Sequence, residues 1–152
     1  MRSLGPIVCL VLTAGIAPAR AGDDTPATIE SELIASGRTI YQQHCAACHG
    51  ARGEGAPEWR QRDAHGELPA PPHDAQGHAW RHSDTMLYRM IMEGWRDLFN
   101  KTGRLTMPGF AGSLAPQEIH SVIAYLKTLW TPEQRLFQRE ESHRQSLQPA
   151  AR

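Results

Sequence analysis

Cys45-Ala46-Ala47-Cys48-His49 is the stretch of this chain whose residue types and spacing announce chemistry most directly. Cys-x-x-Cys-His is the pattern for covalent attachment of a c-type haem. Two thiols add across the porphyrin vinyl groups, and the adjacent histidine supplies an axial nitrogen to the iron. The spacing has a physical basis. Two intervening residues let both sulfurs reach one edge of a flat macrocycle, while the next residue swings its imidazole under the metal. The same five residues have rival readings. A thioredoxin-like redox pair belongs after a strand in a βαβ pattern, which this sequence lacks. A tetrahedral zinc site needs further Cys or His at suitable spacing, and no second Cys pair exists.

A haem on this motif would take its chemistry from the second axial ligand. Iron held by His and Met is low-spin, has no open position and has a raised potential, which suits electron transfer; an open site binds small ligands instead. Of the five methionines, Met1 lies at the extreme N-terminus, and Met86 and Met90 fit the apolar face of a helix, with Met92 near its end. Met107 stands in a loop before Pro108, downstream of His49, where its thioether is free to approach from the opposite side. The plainer reading is a gap-filling core methionine. Histidines compete for the same role. His73, His78 and His82 fall within ten residues, a cluster that suits copper or zinc or a second haem ligand. The plainer reading is a polar loop with solvent-facing rings, since no acid-rich or Cys partner joins them. His44, His65, His120 and His143 are scattered and expected on the surface. Trp59, Trp80 and Trp95 are candidate haem contacts, each with an indole N–H for a propionate. Arg60, Arg62, Arg81, Arg89, Arg96 and Arg104 are candidate propionate partners, more than two propionates need.

The elements that must position these groups are helical. From Glu30, Leu33, Ile34, Gly37, Ile40 and Tyr41 follow helical spacing straight into the motif. Gly37 costs that helix about 1 kcal/mol relative to alanine, and close approach of another helix is the reason that fits. Residues 50–82 are rich in Gly and Pro. A structureless loop of that length argues against a compact domain unless an apolar disc serves as the core it wraps. Ser83 has the character of an N-cap for a helix carrying Met86, Leu87, Met90 and Ile91, stopped by Gly94. Residues 95–112 are irregular. A second strong helix runs from Pro116 to about Leu129, with Ile119, Val122, Ile123 and Leu126 on its apolar face. Thr131-Pro132-Glu133-Gln134 opens a further helix through a capping box. Residues 132–145 read as a surface helix anchored by Leu136 and Phe137, and 146–152 as a frayed tail. No useful strand-like alternation appears, so the expected class is all-α, with four to five helices and long irregular loops around one haem.

The ends of the chain bear on its destination. Arg2 precedes an apolar stretch, Leu4 to Ala17, that closes on small residues. This is the pattern of a cleavable signal peptide over 1–21, with Ala19-Arg20-Ala21 as the cleavage box. The stretch is broken by Gly5, Pro6 and Gly15 and is shorter than the roughly 20 residues of a spanning helix, so a retained anchor is the minor alternative. Cleavage removes Cys9, which lacks the small preceding residues of a lipoprotein site, and leaves Cys45 and Cys48. Losing Arg2 and Arg20 from 16 basic residues against 16 acidic ones leaves a net charge of about −2. No basic stripe suggests nucleic acid. Residues 22–29 read as a disordered leader.

The chain over about 30–131 resembles a class I cytochrome c. The resemblance rests on Gly37-x-x-x-Tyr41 leading into Cys45-Ala46-Ala47-Cys48-His49-Gly50, on Met107-Pro108, and on a late helix with Ala124-Tyr125-Leu126. It implies a crossing of the first and last helices at small residues, with Gly37 against the Tyr125 turn. It also implies a proline carbonyl, from Pro71 or Pro72, that accepts the second proton of axial His49. The stretch from Pro71 to His82 resembles a histidine- and tryptophan-containing loop of a bacterial subgroup. The expectation is thus a monomeric periplasmic carrier of one electron between periplasmic or membrane redox proteins. One haem c is held by Cys45 and Cys48, and its iron is ligated by His49 and Met107. No nucleophile–base pair or paired carboxylates mark it as an enzyme. The alternatives are a ligand-binding or sensor haem protein with Met107 unbound, a copper- or zinc-handling protein using His73, His78 and His82, and a haem-free Cys-x-x-Cys oxidoreductase.

Overall fold

Two helices meet backbone to backbone only where one of them carries no side chain, and α1 (Pro26–His44) provides that gap at Gly37. A Cβ added there would land on the carbonyl of Ser121 in α4 (Pro116–Thr128) and lie 3.1 Å from Tyr125 Cβ. The crossing expected from the resemblance is therefore present, at the turn expected. One turn further along α1, Tyr41 is fully buried and its ring centroid lies 5.2 Å from that of Tyr125. Ile40, with Ile119, Val122, Ile123 and Leu126 of α4, joins Leu87 and Ile91 of α3 (Asp84–Glu93) in one apolar core.

The computed structural model describes residues 26–147. The expected signal peptide over 1–21, the start of the expected leader and residues 148–152 of the expected tail lie outside the described residues. Residues 26–29, expected in the leader, are helical: α1 begins at Pro26 rather than Glu30. Proline suits a first helical turn because its missing N–H would have no partner there. A four-residue helix α2 (Ala46–His49), a 3₁₀ turn at Ala79–Arg81 and α5 (Pro132–Ser146) complete the helical elements. Among the described residues the one β-type pairing is an antiparallel bridge between Trp95 and Met107. The class is all-α, as the periodicity indicates.

The helix ends follow local chemistry. The Ser83 hydroxyl accepts the Met86 N–H at 3.2 Å, and α3 stops at Gly94, whose φ of 82° a side chain disfavours. Glu118 reaches back to the Ala115 N–H at 2.7 Å. Thr131 and Gln134 exchange the two bonds of a capping box at the start of α5.

α5 departs from the expectation in what holds it. Leu136 and Phe137 remain 52% and 42% exposed, whereas Gln138 is only 2% exposed. The Gln138 amide nitrogen lies 2.7 Å from Asp84 Oδ1, 3.0 Å from Ser142 Oγ and 3.3 Å from the His82 carbonyl. Gln134 donates to the Ala75 carbonyl at 3.0 Å. Phe137 still meets the Trp80 ring edge to face, but hydrophobic periodicity gives no sign of Gln138, whose buried side chain is polar.

Gly37→Ala forces a Cβ into the crossing and should cost about 1–3 kcal/mol, read as a lower denaturant midpoint. Gln138→Leu strips donors from the partly buried acceptors of Asp84, Ser142 and His82 and should cost a similar amount, about 1–3 kcal/mol. An unchanged midpoint for either variant would show that its contact carries no stability.

Candidate functional site

α1 delivers the motif directly. The Cys45 N–H bonds to the Tyr41 carbonyl at 2.9 Å, and the His49 N–H bonds to the Cys45 carbonyl at 2.9 Å, so the five residues continue as one further helical turn. Residues three and four apart are neighbours on such a turn, which brings Cys45, Cys48 and His49 to one side. Both cysteines are free thiols, Cys45 buried and Cys48 exposed. Burial, with a smaller effect from Cys48, pushes the Cys45 thiol up to about 11. Gly50 turns the chain away at φ 82°, and the Tyr41 hydroxyl donates to its carbonyl at 3.0 Å. Burial raises the Tyr41 pKa, which keeps that hydroxyl a donor.

His49 is buried, with Nδ1 2.8 Å from the Pro71 carbonyl oxygen. A carbonyl only accepts, so the proton resides on Nδ1 and the Nε2 lone pair is left for a metal. Burial lowers the His49 pKa while the bond to Pro71 opposes it, a net shift that favours the neutral ring, the form that binds iron. The two candidate prolines separate here. The Pro72 carbonyl lies where a Cβ on Gly77 would fall, and the Pro72 ring backs Gly55, so Pro72 packs the loop instead of orienting the imidazole.

The glycine-rich loop is tied down before it returns. The Gly53 carbonyl accepts from both the His73 and Asp74 N–H groups, at 2.7 and 3.0 Å, and Ala56 donates to the Ala70 carbonyl at 2.9 Å. These ties hold Pro71 against His49.

The histidine cluster breaks up. His73 is not solvent-facing: its ring stacks on that of His49, with centroids 3.9 Å apart and planes 16° apart. Burial, then the neighbouring His49, lowers its pKa well below the usual value. Its Nδ1 is buried without a partner, as is Nε2 of His82. His78 and His82 pair edge to face at 5.4 Å. Among the described residues no group of three or more His, Cys, Asp or Glu is arranged to hold a metal ion, which leaves the copper or zinc reading without a donor set there.

Trp80 has its N–H bonded within the loop. Its indole N–H donates to the Gly77 carbonyl at 3.1 Å and its ring meets Phe137 of α5 edge to face, so the group expected to reach a propionate is engaged within the protein. Trp59 carries the Arg60 guanidinium over its ring at 4.0 Å. Trp130 went unread in the sequence: buried, it donates its N–H to the His73 carbonyl at 2.8 Å. The available signal was the four-residue spacing that runs from Val122 through Leu126 to Trp130, which continues the apolar face past the helix end.

Met107 is partly buried against the core. Its N–H and carbonyl both bond to Trp95, at 3.0 and 2.9 Å. Gly109 allows the following turn to close on α3, since a Cβ there would lie 2.8 Å from the Glu93 carbonyl. Phe110 and Ala111 then donate to the Ile91 and Met92 carbonyls at 3.0 and 3.1 Å, which fixes the Met107 backbone beside the end of α3.

Several arginines proposed for propionates are committed elsewhere. Arg104 forms a two-pronged pair with Glu67 at 2.9 and 2.7 Å, and Arg62 pairs with Asp97 at 2.9 Å. Arg104 and the Thr102 hydroxyl hold the Glu67 carboxyl down to about 2. Because the folded value is depressed, the brace adds stability above the ordinary value of 4.5 and loses it as pH falls towards about 2. Glu67→Gln should therefore flatten the fall of the thermal midpoint across that window. Identical pH profiles for the two proteins would show that the pair contributes nothing.

Two unbridged thiols three residues apart, beside a neutral imidazole with one nitrogen tied and the other free, are a donor set that fits a covalent haem. The family model described as Cytochrome c matches residues 34–130, from within α1 to the residue before the α5 cap. No curated protein matches the sequence. Among solved structures, cytochrome cL from the marine methylotrophic bacterium Methylophaga aminisulfidivorans is similar at 17% identity. That alignment covers 88% of this chain and 89% of that one, with a TM-score of 0.44. With the family model covering more than half of its length, the chain belongs to the cytochrome c family, whose cofactor is a covalently attached haem c.

Proposed function

We propose that this protein is a periplasmic carrier that passes one electron at a time between redox partners, with His49 and Met107 as the axial ligands of a single haem iron. The observation that carries this reading is the 2.8 Å bond from His49 Nδ1 to the Pro71 carbonyl, because it presents Nε2 as a ligand of fixed tautomer. Haem, when bound, supplies the one-electron couple. Cys45 and Cys48 supply the sulfurs of its two thioethers, each thiol adding sulfur and hydrogen across one vinyl double bond. Met107 would supply a soft thioether as the second protein ligand, which would raise the potential.

The roles assigned to this chain's side chains are those of tether, ligand and wall. With Nε2 on the iron and Nδ1–H on the Pro71 carbonyl, the His49 ring would have no nitrogen free to take up a proton in step with the electron. Export is supported by the Leu4–Ala17 stretch with its small-residue cleavage box, and by the thiol attachment itself. Among the described residues no helix is long and apolar enough to cross a membrane.

Spectra of the purified holo-protein test the ligand set. The ferric form should show the far-red sulfur-to-iron band, and the ferrous form should not bind carbon monoxide. Met107→Ala should lose the band, lower the potential and open the iron to carbon monoxide. A parent protein that lacks the band and binds carbon monoxide would replace the carrier reading with the ligand-binding one.

A further inference from the structure

Building on the assignment of His49 as an axial ligand, we propose that His73, held by Trp130, is a positioning residue that sets the rotational orientation of the His49 ring. The bond to Pro71 selects which nitrogen faces the iron. It restrains rotation of the ring only loosely, because a carbonyl accepts over a broad range of directions. A flat group lying against the face of the imidazole resists that rotation sterically. His73 is placed to act so, with ring centroids 3.9 Å apart and planes 16° apart.

A wall positions only if it is itself immobile, and the His73 backbone is held on both sides. Its N–H bonds to the Gly53 carbonyl at 2.7 Å, and its carbonyl accepts the Trp130 indole N–H at 2.8 Å. The Tyr41 ring closes on the side chain edge-on at 5.8 Å. Trp130 is buried in the core and leads into the Thr131 cap of α5. α5 then ties the same loop at Ala75 through Gln134 and at His82 through Gln138. The segment that begins at Trp130 therefore connects the C-terminal helix to the wall beside the axial ligand.

The plane of an axial imidazole determines which iron orbitals it overlaps, so groups outside the ligand shell that orient it also tune the metal. The ferric EPR g-values and the reduction potential read this directly, apart from any electron-transfer rate. In the haem-loaded protein, His73→Phe keeps a flat ring and should retain the parent g-values. His73→Ala removes the wall and should broaden and shift them, with a displaced potential. Trp130→Phe keeps the packing but frees the His73 carbonyl, and should shift the g-values in the same direction by less. Parent-like g-values in His73→Ala, or a His73→Phe spectrum as displaced as that of His73→Ala, would overturn the proposal. If His73→Ala fails to fold or hold haem, Trp130→Phe decides it: a shift supports positioning, and parent-like g-values overturn it. A parent protein without haem, by contrast, would overturn the carrier reading itself.

Discussion

The backbone crossing at Gly37 is the constraint from which the site hangs. Gly37 and Tyr41, four residues apart, share one face of α1, and Cys45, four residues further on and just past the helix end, continues that face. The contact with Ser121 sets where α1 lies on α4. Tyr41 then seals the interval by packing on Tyr125 and donating to the Gly50 carbonyl. His49 arrives one turn later with its position already determined by helix geometry. A side chain at residue 37 would push the helices apart, and the thiols and imidazole would move with α1.

Opposite the crossing, the returning loop gains order from a few well-placed acceptors rather than from regular structure. One carbonyl, that of Gly53, receives two N–H groups and brings the chain back beside the motif. Buried backbone groups must find partners, and here they do so across long stretches of sequence. Among the described residues, His73 Nδ1 and His82 Nε2 are buried side-chain nitrogens without a partner. An unpaired buried nitrogen is costly, so His73 holds its place through stacking and through the bonds of its backbone. α5, which follows the family match, adds to this clamp through Gln134 and Gln138, so it is part of the site's support rather than an appendage.

On the Met107 side, charge organises the irregular segment 95–106. The Glu67 and Asp97 carboxylates face inward, with side chains 10% and 12% exposed, and each receives an arginine. Two-pronged guanidinium–carboxylate bonding is directional, which makes the Glu67–Arg104 pair a geometric brace as well as an attraction. The brace leads through the Trp95 bridge to Met107. Exposed surface ion pairs on their own contribute little, but these carboxylates are largely withdrawn from water and also accept from the Phe99 N–H (Asp97) or the Thr102 hydroxyl (Glu67).

Much of this was legible in the linear chain because it depends on near neighbours. The motif's chemistry follows from residues within five positions. Ser83, Gly94, Pro116 and the Thr131–Gln134 box cap or start helices through contacts three or four residues long. Gly37 was readable as a crossing point because glycine in mid-helix is costly without one. The remaining features depend on partners far apart in sequence, where spacing carries no signal. The choice of Pro71 over Pro72 turned on which carbonyl the loop aims at His49. His73 was expected in solvent because its neighbours are polar, yet the loop folds it onto a ring 24 positions earlier. The Trp80 N–H and ring meet Gly77 and Phe137, and the Phe137 contact spans a distance in sequence that spacing does not announce. Gln138 was invisible to hydrophobic patterning because its worth lies in acceptors on another element. Local sequence sets which residues can do chemistry and which helices carry them. Chain closure sets which of them meet, because a contact between distant residues depends on every turn between them.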